Sequence, residues 1–278
     1  MPGVHQSQRF SFPHAVSFAP EFTRSLALIT SILIVSLSGS LKVYFAVLFL
    51  GMPVSFAAVA VGGLITFSAY AFDRAVPNSE DEQRSGEVRK MLIAFALISF
   101  VLCFVLWPSP ALLSPFLIAY AYSKGIAGFR LKGGAGVKNA VVGLTWSVLL
   151  VVLIGRFDPA ALLVYAFFFV KSFVNTAVYD VRDIIADRAA GIRTLPTVLS
   201  VGRLRALLLG MTLLVHGAML AAWYSGLYTG ADILLASALH TCGYILIYTT
   251  GYAAWRNTLV DGEWMIYGGY SILRALLT

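Results

Sequence analysis

The sequence predicts an all-α polytopic membrane protein, with nine transmembrane helices in a bundle and cytoplasmic loops carrying Asp-rich motifs. Three observations predict it. Hydrophobic residues make up 59% of the 278 residues and charged ones 12%, where a soluble domain carries roughly a quarter of its residues as charges. The mean hydropathy is +0.83. Apolar runs long enough to cross a hydrocarbon core of about 30 Å recur between short polar breaks. In lipid every backbone amide must be satisfied within its segment, so each run is expected to be a helix.

The runs cover residues 25 to 42, 43 to 71, 90 to 107, 109 to 128, 137 to 155, 158 to 177, 203 to 226, 230 to 252 and 263 to 278. Residues 1 to 24 read as a cytoplasmic N-terminal segment and 25 to 278 as one membrane domain. The first run is read as a membrane helix rather than a secretory signal, because a long mixed segment precedes it and no small-residue cleavage site follows. Lys and Arg set the orientation, since cytoplasmic loops retain positive charge. The N-terminal segment and the breaks after the second, fourth, sixth and eighth runs hold 16 of the 20 basic residues, against Lys42, Arg156 and Arg274 opposite. The N-terminus is therefore expected in the cytoplasm and the C-terminus outside. This asymmetry, facing an anionic inner leaflet, accounts for the net charge of +7 without nucleic acid. No protein partner is inferable. Cys103 and Cys242 fall inside apolar runs and read as small buried hydrophobes. His216 and His240 are too isolated to form a ligand set.

Eight of the 13 acids sit in two cytoplasmic breaks, where topology has no use for them. Asp73, Glu80, Asp81, Glu82 and Glu87 follow the second run; Asp180, Asp183 and Asp187 follow the sixth. If the second cluster continues as helix, spacings of three and four place its carboxylates on one face. That face is either a solvated helix end relieved by Arg182 and Arg188, or a set of hard oxygen ligands for Mg2+, which takes one or two carboxylates plus phosphate oxygens. Arg193-Thr194-Leu195-Pro196 follows directly and would suit a phosphate-handling loop. In the first cluster, Ser79 and Glu82 fit a capping box and Glu80 and Asp81 a first helical turn. That structural account leaves only Asp73 unexplained.

The break after the fourth run, from Tyr122 to Asn139, carries Lys124, Arg130, Lys132 and Lys138 with five glycines and no acid. It reads either as an ordinary positive-inside loop or as a flexible basic lid over a polyanion, in which glycines let backbone amides approach phosphate oxygens. Two acidic clusters and a basic glycine-rich loop on one face imply a site for a diphosphate whose apolar remainder extends into the bundle, which describes a polyprenyl diphosphate. Magnesium and basic groups would stabilise the departing diphosphate. An apolar wall would shield the allylic cation from water.

These residues resemble the UbiA superfamily of intramembrane prenyltransferases, with nine transmembrane helices and Asp-rich motifs after helices 2 and 6. The resemblance spans residues 25 to 278 and is sharpest at Asp180, Asp183 and Asp187 followed by Gly191, Thr194 and Pro196. This looks like the family's DxxDxxxD with a G-x-x-T-x-P stretch behind it. Tyr122-Ser123 and the basic residues beyond it look like the family's diphosphate-binding segment. The first motif departs from NDxxDxxxD: Asp73 takes the Asn slot, Arg74 and Pro77 take two Asp slots, and Asp81 takes the last. The resemblance implies that Asp73, Asp81, Asp180, Asp183 and Asp187 serve catalysis and metal binding. It likewise implies that Tyr122, Lys124, Arg130 and Lys132 bind the diphosphate, and Arg84 and Arg193 are expected to add their charge to it. The expected activity is Mg2+-dependent transfer of a polyprenyl group from its diphosphate to a small or lipophilic acceptor, at the cytoplasmic face. A terpene cyclase of the same family is the alternative, and an ion-coupled transporter, which would place its acids near the bilayer midplane, is the reading from another class.

Overall fold

The computed structural model describes residues 21–75, 86–118, 134–189, 191–228 and 232–277, and among these every regular element is helical. Helix α1 spans Glu21–Phe49, α2 Phe56–Ala75, α3 Gly86–Leu106, α4 Val137–Ile154, α5 Pro159–Ala189, α6 Val201–Tyr224, α7 Asp232–Tyr248 and α8 Glu263–Leu277. A 3-10 turn occupies Pro110–Leu113 and a π turn Asn257–Asp261. Six helices, α1 to α6, are long and apolar enough to cross a membrane; α7 is apolar but shorter. The chain is an integral multi-pass membrane protein. The second half of the fourth run, residues 119 to 128, lies outside the described residues.

The first two predicted boundaries are corrected. The sequence reading broke the chain at Lys42, taking a charge for a loop. The helix instead continues to Phe49, and the break falls at residues 50–55, where Gly51 adopts φ +60° and Pro53 cannot donate to a helix. Lys42 is thus a buried group in the middle of α1 and not an outward loop residue. The sixth run also extends by more than three turns, carrying α5 through the acidic cluster to Ala189.

Lipid offers no hydrophobic drive for helices to associate, so close packing of small residues and internal polar contacts must supply it. Along α1, Ser36, Gly39, Ser40 and Val43 face Gly62, Gly63 and Thr66 of α2. A methyl group added at Gly63 would come within 2.2 Å of Ser40 Oγ, and one at Gly39 within 2.9 Å of the Gly62 carbonyl. Helix α4 packs on α5 in the same way, with Gly143 against the Phe169 carbonyl. Helix α8 returns to α1 and closes the bundle around a shared aromatic cluster, where Trp264 meets Phe45 and Phe168. Beneath it lies an ion pair, Lys171 Nζ to Glu263 Oε2 at 2.7 Å, both fully buried. Lys171 also donates to Thr241, and Asn175 donates to the Val260 carbonyl at 3.2 Å. A charge inside the bilayer is costly without a partner. Here the pair pins α5 to α8 and holds the π turn against the bundle.

Candidate active site

A cavity of about 530 Å³ opens among α1, α2, α4, α5 and the π turn, within the range of small-molecule sites. Its walls change character along α5. At one end stand Asp180, Arg182 and Asp183 of α5, Asp73, Arg74 and Tyr70 of α2, and Lys138 of α4. Leu28 and Val35 of α1, Ile65 of α2, and Val141, Val142 and Leu149 of α4 supply apolar wall.

The continued helix places Asp180 and Asp183 one turn apart on this wall, as three-residue spacing dictates. Asp180 is fully buried. It accepts from Lys138 Nζ at 2.6 Å on one oxygen and from Asn139 Nδ2 at 2.9 Å on the other. Asn139 is itself oriented by a second bond to Thr176 Oγ1 at 3.1 Å. Asp183 is half-exposed and forks with Arg182, whose Nε lies 2.7 Å away. On α2, Arg74 donates to the Tyr70 hydroxyl at 2.8 Å and stacks over its ring, beside Asp73 on the cavity wall.

Asp187 is not among the cavity-lining residues, though it stays near enough to Lys138, Asp180 and Asp183 to feel their charges. It is buried and accepts from Thr194 Oγ1 at 3.0 Å, and its carbonyl accepts from Ile192 N at 2.8 Å. Gly191 turns the chain at φ +69°. Thr194 then forms a capping box with Thr197 over the helical turn Leu195–Val198, with Pro196 in its first positions. The Gly-Thr-Pro stretch therefore builds a tight turn between α5 and α6. Arg193 is exposed on that turn and is not among the cavity-lining residues. Asp81, Arg84, Tyr122, Lys124, Arg130 and Lys132 lie outside the described residues.

Sequence reasoning placed Lys138 only within a basic lid and did not single out Asn139, Tyr179 and Asp261 as site residues. Lys138 and Asn139 stand at the start of α4 immediately after the glycine-rich break, a position that could have signalled their approach to the acidic helix. Asp261 gave no such sign, because the π turn that carries it follows from tertiary packing.

The donors around the cavity are hard oxygens. Among the described residues no three acidic, His or Cys side chains are grouped closely enough to cage an ion. Asp73 and Asp183 on one cavity nevertheless fit a divalent cation that takes one or two carboxylates and completes its shell with substrate oxygens.

The profile of the UbiA prenyltransferase family matches residues 82–267. No curated protein matches. A solved structure of digeranylgeranylglyceryl phosphate synthase in membranes superposes with a TM-score of 0.52 at 11% identity, covering 89% of this chain and 96% of that one. At that identity the likeness speaks for the fold alone. A multi-pass helical bundle with an acid-lined cavity, matched by the family profile over two thirds of its length, places the chain in the UbiA prenyltransferase family.

Proposed function

We propose that the chain transfers a polyprenyl group from its diphosphate to a small or lipophilic acceptor, with Mg2+ and at the cytoplasmic face. The observation that supports this best is the division of the cavity into a charged end and an apolar wall. Diphosphate belongs at the charged end. There Asp73 and Asp183 would hold Mg2+, and Lys138, Arg74 and Arg182 would meet phosphate oxygens directly. Asp180, already bonded to Lys138 and Asn139, orients the ammonium. From the break after the fourth run, Lys124, Arg130 and Lys132, with Arg84, would add positive charge over the same end, and Tyr122 would add a neutral hydroxyl donor.

Bound Mg2+ supplies neutralisation of the departing diphosphate. The protein does the rest. Lys138 and Arg182 are fixed before the reaction by their carboxylate partners, so they stabilise developing charge without reorganising. Val141, Val142, Ile65 and Leu149 keep water from the allylic carbon as its C–O bond opens.

The test is turnover of labelled geranylgeranyl diphosphate against Mg2+ concentration for the wild type, Asp73→Ala and Asp183→Ala. Asp183→Ala is expected to lose activity at every concentration. Asp73→Ala is expected to need more Mg2+ and still react, because the first motif has lost two of its acids. Equal and complete loss in both would make the first motif as necessary as the second. A wild type that consumes no prenyl diphosphate would remove the proposal.

A further inference from the structure

The cavity continues past the diphosphate end to a second set of polar groups. Tyr179, one residue before Asp180 on α5, donates its hydroxyl to Asp261 Oδ2 at 2.7 Å. The other carboxylate oxygen of Asp261 has no hydrogen-bond partner among the described residues, and the residue lines the cavity. Its backbone is held as well: Ser38 of α1 donates to the Asp261 carbonyl, and Asn175 holds the preceding residue.

Deeper still is Lys42. Its Nζ lies 3.3 Å from Ser172 Oγ and 3.7 Å from the centre of the Trp146 ring, and the residue is 6% exposed. Among the described residues no carboxylate comes within ion-pair distance of it. Ser172 precedes Asp180 by eight positions on α5, so this cation sits ~12 Å further along the helix. A buried cation in a membrane bundle that faces a cavity, with Glu263 and Asp261 acting on it only from beyond ion-pair distance, is a site for an anionic or polar ligand group.

We propose that this end of the cavity is the acceptor site, for an acceptor bearing an ionisable hydroxyl, with Asp261 as the base that takes its proton and Lys42 as the cation that steadies its polar end. The inference rests on the prenyl-transfer reading. In the step, the prenyl C1–O bond breaks and its electron pair leaves with the diphosphate. A lone pair of the acceptor oxygen forms the new bond to C1, and the hydroxyl proton passes to Asp261 and from there to water. Asp261 is placed for this because it lines the same cavity as Lys138 and Asp183 and is bonded to Tyr179 of α5.

Asp261 lies in the connection between α7 and α8, and burial raises its carboxyl to about 6, against the pull of Tyr179, Lys42 and Arg256; Glu263 adds to the rise. A base with that value is ionised near neutrality and still binds a proton in the transition state.

The experiment uses the full chain in nanodiscs with labelled geranylgeranyl diphosphate and a total membrane lipid extract as acceptor source. It reads the ratio of transferred to hydrolysed prenyl group. Asp261→Asn, which preserves an acceptor for the Tyr179 bond, is expected to lower that ratio about 100-fold, the lower end of what a positioned base contributes. Asp261→Glu is expected to recover part of it. Wild-type transfer should fall as the pH drops below about 6. That limb should move to higher pH in Tyr179→Phe, because the lost hydrogen bond had favoured the carboxylate. A second reading uses a hydrophobic carbodiimide, which reacts with protonated carboxyls. Asp261 should label at low pH and be protected by 1-naphthol but not by 1-methoxynaphthalene. Transfer by Asp261→Asn within about threefold of the wild type, or equal protection by the two naphthalenes, would overturn the acceptor site while leaving prenyl transfer intact. A wild type that neither binds nor consumes prenyl diphosphate would end the underlying reading as well, and the two failures are distinguishable.

Discussion

At the scale of single residues, the three acids of the second motif have three different jobs. Asp180 is a buried anchor for Lys138 and Asn139, Asp183 faces the cavity, and Asp187 ties down the turn after α5. Asp180→Ala is therefore expected to cost both activity and about 1–3 kcal/mol of stability, since Asn139 stays buried with a lost partner. Lys138, 40% exposed, can turn toward water and adds little to that cost. Asp187→Ala should lower the melting temperature while keeping measurable prenyl transfer, because its carboxylate is engaged by Thr194 in the turn after α5 and is not among the cavity-lining groups. Thermal denaturation and turnover on the same preparations check both. Helical spacing made the shared face of Asp180 and Asp183 legible from sequence. What it could not show was the partner: nothing in the chain order joins Lys138 to Asp180 until α4 packs on α5. The same holds for Asp261, whose place depends on a π turn held by Ser38 and Asn175.

At the scale of elements, α5 is the axis of the account. It is one unbroken helix of 31 residues, carrying the Lys171 ion pair, the Ser172 contact to Lys42, the Tyr179 bond to Asp261 and the acids in sequence along its length. Its seam with α4 sets the position of Lys138. A methyl group at Gly143 would lie 2.8 Å from the Phe169 carbonyl and could not be relieved by rotating a side chain. Gly143→Val is expected to push the two helices apart, costing about 1–3 kcal/mol and weakening diphosphate binding through Lys138. Melting and prenyl diphosphate binding should change together; loss of stability with binding untouched would show that the seam does not position the site. Most helix positions were legible because apolar runs of spanning length leave few alternatives. The boundary at Lys42 was not, because a buried lysine beside a tryptophan and a serine looks like a loop charge when its neighbours are unknown.

At the scale of the whole molecule, a single site requires that the two acidic breaks and the basic break share one side of the membrane. Cysteines introduced at Ser79, Ser123 and Ala190 are expected to label from the cytoplasmic side alone, as the distribution of Lys and Arg demands. Labelling of any one from the opposite side would break that arrangement. The ion pair of Lys171 and Glu263 bears on the transporter reading directly: these two charges buried in the bundle are paired with each other, and Lys171 is also held by Thr241.

The central claim is that the acid-lined cavity takes a prenyl diphosphate and, with Mg2+, moves its prenyl group. The most direct measurement incubates the purified wild type with radiolabelled geranyl, farnesyl and geranylgeranyl diphosphates and a membrane lipid extract, in Mg2+ or in EDTA, and separates the products by chromatography. The account expects label in a new apolar product with free diphosphate in Mg2+, and intact substrate in EDTA. Intact substrate under both conditions, or full turnover in chelator, would contradict it.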